Sequence, residues 1–365
     1  MNQQEDDYLV EWFTLDETSY DAVLEVIKAA YLANDLEEGG TILFTEKTMN
    51  ILFGSPSIPR DYFMRAIYKP TGQVVGFLGG TPRMLAIEGK GTFKTGVPSY
   101  LAVHPDHRRK NLAIRMGLEM LKKGTDLGYE GGFGFFEPEA RGIDTGKAIA
   151  QLTGLPSIDV IVVKRFIIRV FNIKQITTVI KTKWYEKLGL GLLQGIPRVK
   201  SDRVRKFQLQ DAPRMFELMD DYRKYNQVSF LREREDIEWF LTQSGVNSVV
   251  HLDKDNQVDG FMVAWEFHLA GFGHACPCGW IDMIHTYRLK KNEAVDLCNY
   301  FAQTSKELGW MALQSPFIPY FDPAPLKKAR FIFFPKILIV NFMSTSKERP
   351  VPFPERIKST YFDWR

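Results

Sequence analysis

The sequence predicts an α+β protein in which one plan of strands and helices is used twice. Three observations carry this prediction. Residues 8–136 alternate strand-like and helix-like patterns in the order strand, helix, antiparallel strands, helix, strand. The same order recurs over residues 204–314. Between the two copies lies a stretch of quite different charge, residues 156–206, with twelve Lys and Arg against three acids.

Composition sets the bounds. At 365 residues the chain is long enough for two domains with separate cores. With 45% hydrophobic and 25% charged residues it has the balance of a globular protein. A net charge of +3 gives no argument for a nucleic-acid partner. Three cysteines make no disulfide framework and fit a reducing compartment, so a cytoplasmic location is expected. The start, MNQQEDDYLVEW, lacks the order of a signal peptide, and no run of about 18 apolar residues exists.

The elements follow in order. Tyr8 to Phe13 reads as a strand. Asp16 to Tyr31 reads as a helix, with Thr18 and Asp21 at capping-box spacing and Ala22, Val23, Val26, Ile27 and Ala30 on its apolar face. A short helix is expected near Glu46 to Leu52. Tyr62 to Tyr68 and Gln73 to Leu78 flank Lys69-Pro70-Thr71-Gly72, a hairpin signal. Arg83 to Ile87 and the strand into His104 continue the meander, and Gly132 to Phe136 is another strand. In the second copy, Val204–Leu209, Ser248–Asp253, Gln257–Phe267, Trp280–Tyr287 and Trp310–Gln314 read as strands. Asp211–Lys224, Arg234–Gln243 and Asn292–Leu308 read as helices.

The chemistry is concentrated at Pro98 to Gly124. Pro105-Asp106 ends a strand, because proline has no N–H for a sheet ladder. From Leu112 the pattern is apolar around most of a helix, which predicts a well-buried one. Between them stand Arg108, Arg109, Lys110 and Asn111. Unpaired N–H groups at a helix start, joined by three cations, suit a phosphate or pyrophosphate.

These residues also carry a resemblance. Val103-x-Pro105-x-x-Arg108-x-x-Asn111-x-Ala113 resembles the acyl-CoA signature of the GNAT superfamily of N-acyltransferases, V-x-P-x-x-[RQ]-x-x-G-x-[GA]. Asn111 replaces its first glycine, and Asn is the side chain that best tolerates a left-handed backbone. The order and spacing of roughly residues 8–343 resemble the N-myristoyltransferase-like branch, through Gly76-Phe77, Pro82, Tyr100-Leu101-Ala102-Val103-His104 and Arg108-Arg109-Lys110-Asn111-Leu112-Ala113. QVDGFMVAW (257–265) and DIEWFL (236–241) resemble its second-domain segments. The resemblance implies two tandem GNAT-like domains, each a mainly antiparallel twisted sheet flanked by helices. It implies an acyl-CoA or acetyl-CoA donor, held where the fourth and fifth strands of the first domain splay apart. Arg108, Arg109, Lys110, Asn111, Leu112 and Ala113 would form the pyrophosphate turn. Ala102 and Val103 would pair the pantetheine arm, and the amides of Tyr100 and Leu101 would stabilise the oxyanion. In that branch a C-terminal carboxylate acts as base; this chain runs on to Tyr361-Phe-Asp-Trp-Arg365, so the role is not carried over.

The expected activity is acyl transfer from acyl-CoA to an amine on a small molecule, lipid or peptide. Attack is direct, because no Cys or Ser sits in a nucleophile context. Glu137, with Glu139 next, is the best-placed base in the first copy, and Asp282 and His285 are the candidates in the second. The second copy has HTYRLKKN (285–292) where the first has its phosphate turn, so it is expected to shape the pocket without binding CoA. His274-Ala-Cys276-Pro-Cys278 lacks a fourth ligand and reads as a loop with buried thiols, so no metal is expected. The competing class is a non-catalytic acyl-CoA-binding or membrane-peripheral protein on the same fold.

The basic stretch completes the division: a GNAT domain over 1–155, a basic linker over 156–202, a degenerate GNAT-like domain over 203–345 and a tail over 346–365. Within the linker, Ile176, Val179, Ile180, Trp184, Leu188 and Leu192 fall at helical spacing. Residues 172–195 therefore read as one basic amphipathic helix, able to meet an anionic membrane surface.

Overall fold

The computed structural model describes residues 7–33, 39–138 and 141–365. The chain begins β1 (Tyr8–Phe13), α1 (Glu17–Leu32), β2 (Thr41–Leu43), α2 (Glu46–Phe53), β3 (Phe63–Tyr68), β4 (Gln73–Ile87) and β5 (Gly91–Val103). Next come α3 (Leu112–Asp126), β6 (Gly131–Phe136), α4 (Arg141–Thr153), β7 (Ser157–Val170), α5 (Ile173–Val179) and α6 (Trp184–Leu193). The second half holds β8 (Val204–Lys206), α7 (Ala212–Arg223), β9 (Val228–Leu231), α8 (Arg234–Leu241), β10 (Val246–Leu252), β11 (Val258–Gly271) and β12 (His274–His285). It ends α9 (Lys291–Glu307), β13 (Ala312–Pro316), α10 (Ala324–Lys328), β14 (Ile332–Ser344) and β15 (Thr360–Tyr361).

Two compact units emerge, and both follow one topology. The first comprises residues 1–34, 44–163 and 337–357. Its strands lie in the order β1, β3, β4, β5, β6, β14. All neighbours are antiparallel except β5 and β6. The second comprises residues 35–43, 164–336 and 358–365, with strands in the order β8, β10, β11, β12, β13, β7. Along that order too, only β12 and β13 are parallel. The fold class is thus α+β with two GNAT-like halves. Each unit draws its sixth strand from the other's stretch of sequence, residues 339–344 of β14 and 166–170 of β7. The units therefore interleave along the chain, unlike the consecutive segments 1–155 and 203–345.

Local physics explains where the pattern misleads. The N-cap of α1 is Asp16, whose Oδ1 accepts the Ser19 N–H at 3.1 Å; the capping box is Asp16/Ser19, two residues before Thr18/Asp21 would place it. β4 runs unbroken through Gly79-Gly80, where the sequence suggests a break. A Cβ at Gly79 would stand 2.7 Å from the Phe53 ring and one at Gly80 2.5 Å from Tyr62. Those glycines admit aromatic rings rather than turn the chain.

Helix α3 is less buried than its composition suggests. Only Leu112, Met116, Met120 and Gly124 are buried, one stripe that packs with Tyr8, Met64, Ala66, Val75 and Leu78. Each large member of that stripe contributes about 1.5–3 kcal/mol of burial. In the second unit α9 has the corresponding place, with Leu297, Cys298, Phe301 and Ala302 against Val249, Met262, Ala264 and Ile281.

The stretch 156–202 is not a linker. β7 uses its β-branched residues as a strand, and α5 and α6 are two helices separated by residues 180–183. Ile176 and Val179 are buried, whereas Trp184, Leu188 and Leu192 are exposed, so the apparent single stripe divides between core and solvent. Nor is the end of the chain a loose tail. Tyr361, Phe362, Asp363 and Arg365 are all buried, and β15 pairs β9 in parallel.

Candidate active site

The first unit's β5 and β6 are in register at only two pairs, Thr95 with Gly131 and Gly96 with Gly132, and then part. β5 continues to Val103 along β4. Its register steps from Ala102 opposite Phe77 to Ser99 opposite Gly79, so Tyr100 and Leu101 stand against the single residue Leu78. This is a β-bulge, which re-aims backbone groups out of the ladder. Tyr100 has φ 60°, a left-handed conformation. Its ring is fixed edge-on against Phe44 and Phe53, with centroids 4.5 and 5.6 Å away. Leu101 packs on the core side, and Ala102 is buried.

Beyond Val103 the chain makes a 3₁₀ turn, Pro105–His107, and then the basic turn. Arg109 and Asn111 are both left-handed, at φ 63° and 57°. Asn111 is the N-cap of α3, its side chain makes no cap hydrogen bond, and no acid lies in the first turn. The backbone N–H groups of Leu112 and Ala113 are thus presented at the positive end of the helix dipole. Asn111 and Arg109 are exposed, and Lys110 and Ala113 half-buried. The Arg108 guanidinium is an anchor: it donates to the Ala30 carbonyl at the end of α1, at 2.8 Å. His107 Nδ1 hydrogen-bonds the Tyr8 hydroxyl at 3.0 Å, and burial, followed by His104, holds its imidazole below its ordinary value. His104 and His107 therefore brace the turn.

The expected bases fare differently. Glu137 follows β6 directly and is exposed. Glu139 lies outside the described residues. His285 is 1% exposed at the end of β12, stacked on Phe261 at 4.3 Å. Its Nε2 meets the Tyr361 hydroxyl at 3.1 Å, its Nδ1 has no partner, and burial pulls its pKa down to about 3. An imidazole so weakly basic is a poor general base near neutrality, which corrects the expectation for His285. Asp282 is equally buried and engaged, as follows.

The second unit repeats the architecture of the first with the opening filled. β12 and β13 pair only at Gly279 with Leu313 and Trp280 with Gln314, and a bulge falls at Asp282, where the register steps from Met283 to Ile281. Here the Ile284 N–H donates to the Tyr320 hydroxyl at 3.2 Å. The Trp364 N–H donates to Asp282 Oδ1 at 2.6 Å. Arg232 bridges Asp282 and Asp363 at 2.6 and 2.9 Å, and Arg365 pairs with Asp236. Burial alone would lower the Arg232 guanidinium, but Asp282, Asp363 and Asp236 outweigh it and hold it above its usual value. Sequence reasoning missed this network. Its signal was the alternation of aromatic and charged residues in YFDWR, which is unlike a solvated tail.

Cys276 and Cys278 are buried as read, but on β12 rather than in a loop. Among the described residues no cluster of His, Cys, Asp and Glu could hold a metal ion. No helix of the described residues is long and apolar enough to cross a membrane.

No family model matches the sequence, and no curated protein does. Solved structures are similar. A crystal structure of Saccharomyces cerevisiae N-myristoyltransferase with bound myristoyl-CoA and inhibitors matches with a TM-score of 0.74 at 16% identity, over 92% of this chain and 80% of that one. Two further structures of the yeast enzyme with bound myristoyl-CoA match with a TM-score of 0.73 at 16% identity. They cover 92% of this chain and 78% and 82% of theirs. The chain has the N-myristoyltransferase fold, with two GNAT-like halves.

Proposed function

We propose that the protein is an N-acyltransferase that moves an acyl group from acyl-CoA to an amine. The observation that carries this reading is a parted β5/β6 pair flanked by two devices, the Tyr100–Leu101 bulge and the left-handed turn into an uncapped α3. Thioester aminolysis needs both at opposite ends of one extended donor. The pyrophosphate lies on the 109–113 backbone with Arg109 and Lys110 beside it. The pantetheine arm runs along Ala102 and Val103 as an added strand. The thioester oxygen, which gains negative charge as the amine attacks, meets the bulge amides. The C–N bond forms, the C–S bond breaks, and CoA leaves as the thiolate. The amine's proton passes to Glu137 or to water. The likeness to structures holding myristoyl-CoA favours a long acyl chain over acetyl.

The test is thermal shift and calorimetry with CoA, acetyl-CoA and myristoyl-CoA, followed by thiol release in the presence of amines. A ligand at a hundredfold excess over Kd should stabilise by about 2.7 kcal/mol. No stabilisation by any thioester sinks the proposal. The exposure of Glu137 and the neutral burial of His285 favour one second reading, an acyl-CoA-binding protein without turnover. Binding without thiol release with any amine class would select it.

A further inference from the structure

The apolar face of α6 points into solvent. The helix has no buried residue, and Trp184, Tyr185, Leu188 and Leu192 are 76, 51, 61 and 75% exposed. Those four side chains fall within an arc of about 100° on the helix. Glu186, Leu190 and Leu193, on the opposite side, are less exposed. The helix is thus turned inside out relative to an ordinary surface helix, which puts its apolar stripe on the core. The preceding α5 behaves ordinarily, with Ile173, Ile176 and Val179 buried.

A second element of the same unit contributes to this surface. The tip of the β11–β12 hairpin carries Phe272, 50% exposed and at φ 51°. A bulky side chain in a left-handed tip is strained, and burial does not repay that strain here. Phe272 lines a depression of about 460 Å³ with Thr177, Ile180, Lys181, Thr182 and Lys187, which places the tip beside the α5–α6 connection. The charged lining of that depression, among the described residues, is Lys181 and Lys187. Lys174, Lys181, Lys183 and Lys187 are all exposed. The one acid of residues 172–195, Glu186, accepts the Lys183 backbone N–H at 2.9 Å.

We propose that α6 and the Phe272 tip form a docking surface for an anionic phospholipid bilayer. An exposed cluster of Trp, Tyr, Leu and Phe of this size marks an interaction surface. The cation type identifies the occupant. Protein–protein interfaces are enriched in Arg and depleted in Lys, and residues 172–195 contain four Lys and no Arg. Lysine stems lie along apolar surface while the ammonium groups reach lipid phosphates, and Trp and Tyr settle at headgroup depth. Ten residues of helix with leucines beneath them and lysines around them fit a bilayer surface, not a span. The proposal stands independently of the acyltransferase reading.

The test is flotation of the full chain with vesicles of phosphatidylcholine alone and of phosphatidylcholine with phosphatidylserine. Binding is expected to the phosphatidylserine vesicles and to weaken with salt. Lys181→Ala, Lys183→Ala and Lys187→Ala should each weaken it about fivefold. The double variant Leu188→Ala/Leu192→Ala should weaken it at least about tenfold. These side chains are exposed, so the variants keep the circular dichroism and melting of the parent. A blue shift of the fluorescence lost in Trp184→Phe gives a second readout. The proposal falls if the folded chain does not float with phosphatidylserine vesicles, or if it floats equally well after both sets of substitutions. It also falls if Leu188→Ala/Leu192→Ala converts a dimer to a monomer, which would make a second copy the occupant.

Discussion

Asn111 stands where the acyl-CoA signature has glycine, at φ 57° and ψ 13°, and the donor turn depends on that conformation. A left-handed backbone costs a non-glycine residue about 1–2 kcal/mol, least for Asn and most for a β-branched side chain. Asn111→Val therefore introduces a strain of about 1–2 kcal/mol that has only two places to appear. If the turn holds its shape, the strain lowers the unfolding free energy. If the turn relaxes, the amides of Leu112 and Ala113 swing away from the phosphates, and CoA affinity falls about five- to thirtyfold. The two losses, in free energy, should sum to the strain. Asn111→Gly should bind CoA at least as well as the parent, because glycine adopts the turn without strain. Calorimetric Kd values for CoA and urea midpoints followed by tryptophan fluorescence measure both quantities. Asn111→Val with parental stability and parental affinity would refute the left-handed strain at this turn, and absence of CoA binding by the parent would refute its assignment as the donor clamp.

Three other substitutions probe the rest of the site. Glu137→Gln should lower kcat for amine acylation, with CoA affinity unchanged, if Glu137 takes the amine's proton; equal kcat would leave water as the acceptor. Arg232→Met removes the cation between two buried carboxylates and should cost about 3–5 kcal/mol in urea unfolding, whereas the triple variant Arg232→Met/Asp282→Asn/Asp363→Asn should recover much of it. A loss under about 1 kcal/mol in the single variant would show the pairs to be solvated. His285 is held neutral, with a folded pKa near 3 against 6.5. The unfolded chain then binds a proton that the folded chain does not. Stability from this group is complete above about pH 6.5 and falls below it by at most about 1.4 kcal/mol per pH unit. His285→Asn should flatten the acid limb of stability between about pH 6 and 4, and an unchanged slope would assign that limb to other groups.

Much of this was legible in the sequence because it rests on backbone requirements. Pro105 ends a strand, Asn111 permits the left-handed turn, and Leu112, Met116 and Met120 set a helical stripe, so the strand–turn–helix unit could be placed from residue types alone. The bulge at Tyr100–Leu101 came through family resemblance, since no side chain is required there. β7 was obscured for a physical reason. Val160, Val163, Phe166, Ile167 and Val170 are buried and mark a strand, but Lys164 and Arg165 interrupt them and the charge excess reads as a solvated connection. The buried network around Arg232 was marked only by the aromatic and charged alternation of YFDWR. Its members come from three separate stretches, around 232–236, 282 and 363–365, and each polar residue alone looks like a surface residue.

The duplication makes each unit a control for the other. Both have a parallel strand pair that parts after two register positions, and both carry a bulge on the first of those strands. An open parting with a bulge is therefore a property of the fold, and it points to a donor only together with the turn into α3. What distinguishes the units is what meets the exposed groups of the bulged strand. In the second unit the Ile284 N–H goes to Tyr320, the Asp282 carboxylate to Arg232 and Trp364, and the His285 ring to Tyr361. An added strand would have to displace side chains that satisfy buried polar groups, at a cost of about 1–3 kcal/mol for each group left unmatched. In the first unit, α3 starts on a left-handed Asn111 with no side-chain cap; in the second, α9 starts on Lys290 at φ −65° and carries Glu293 in its first turn, whose carboxylate accepts the Lys290 N–H at 2.8 Å. A carboxylate there repels a phosphate. The second unit is thus closed twice over to a CoA-like ligand, by groups already satisfied along its strand and by a negative charge at its helix start. The first unit differs at the helix start, where α3 has no acid in its first turn and begins on a left-handed Asn111.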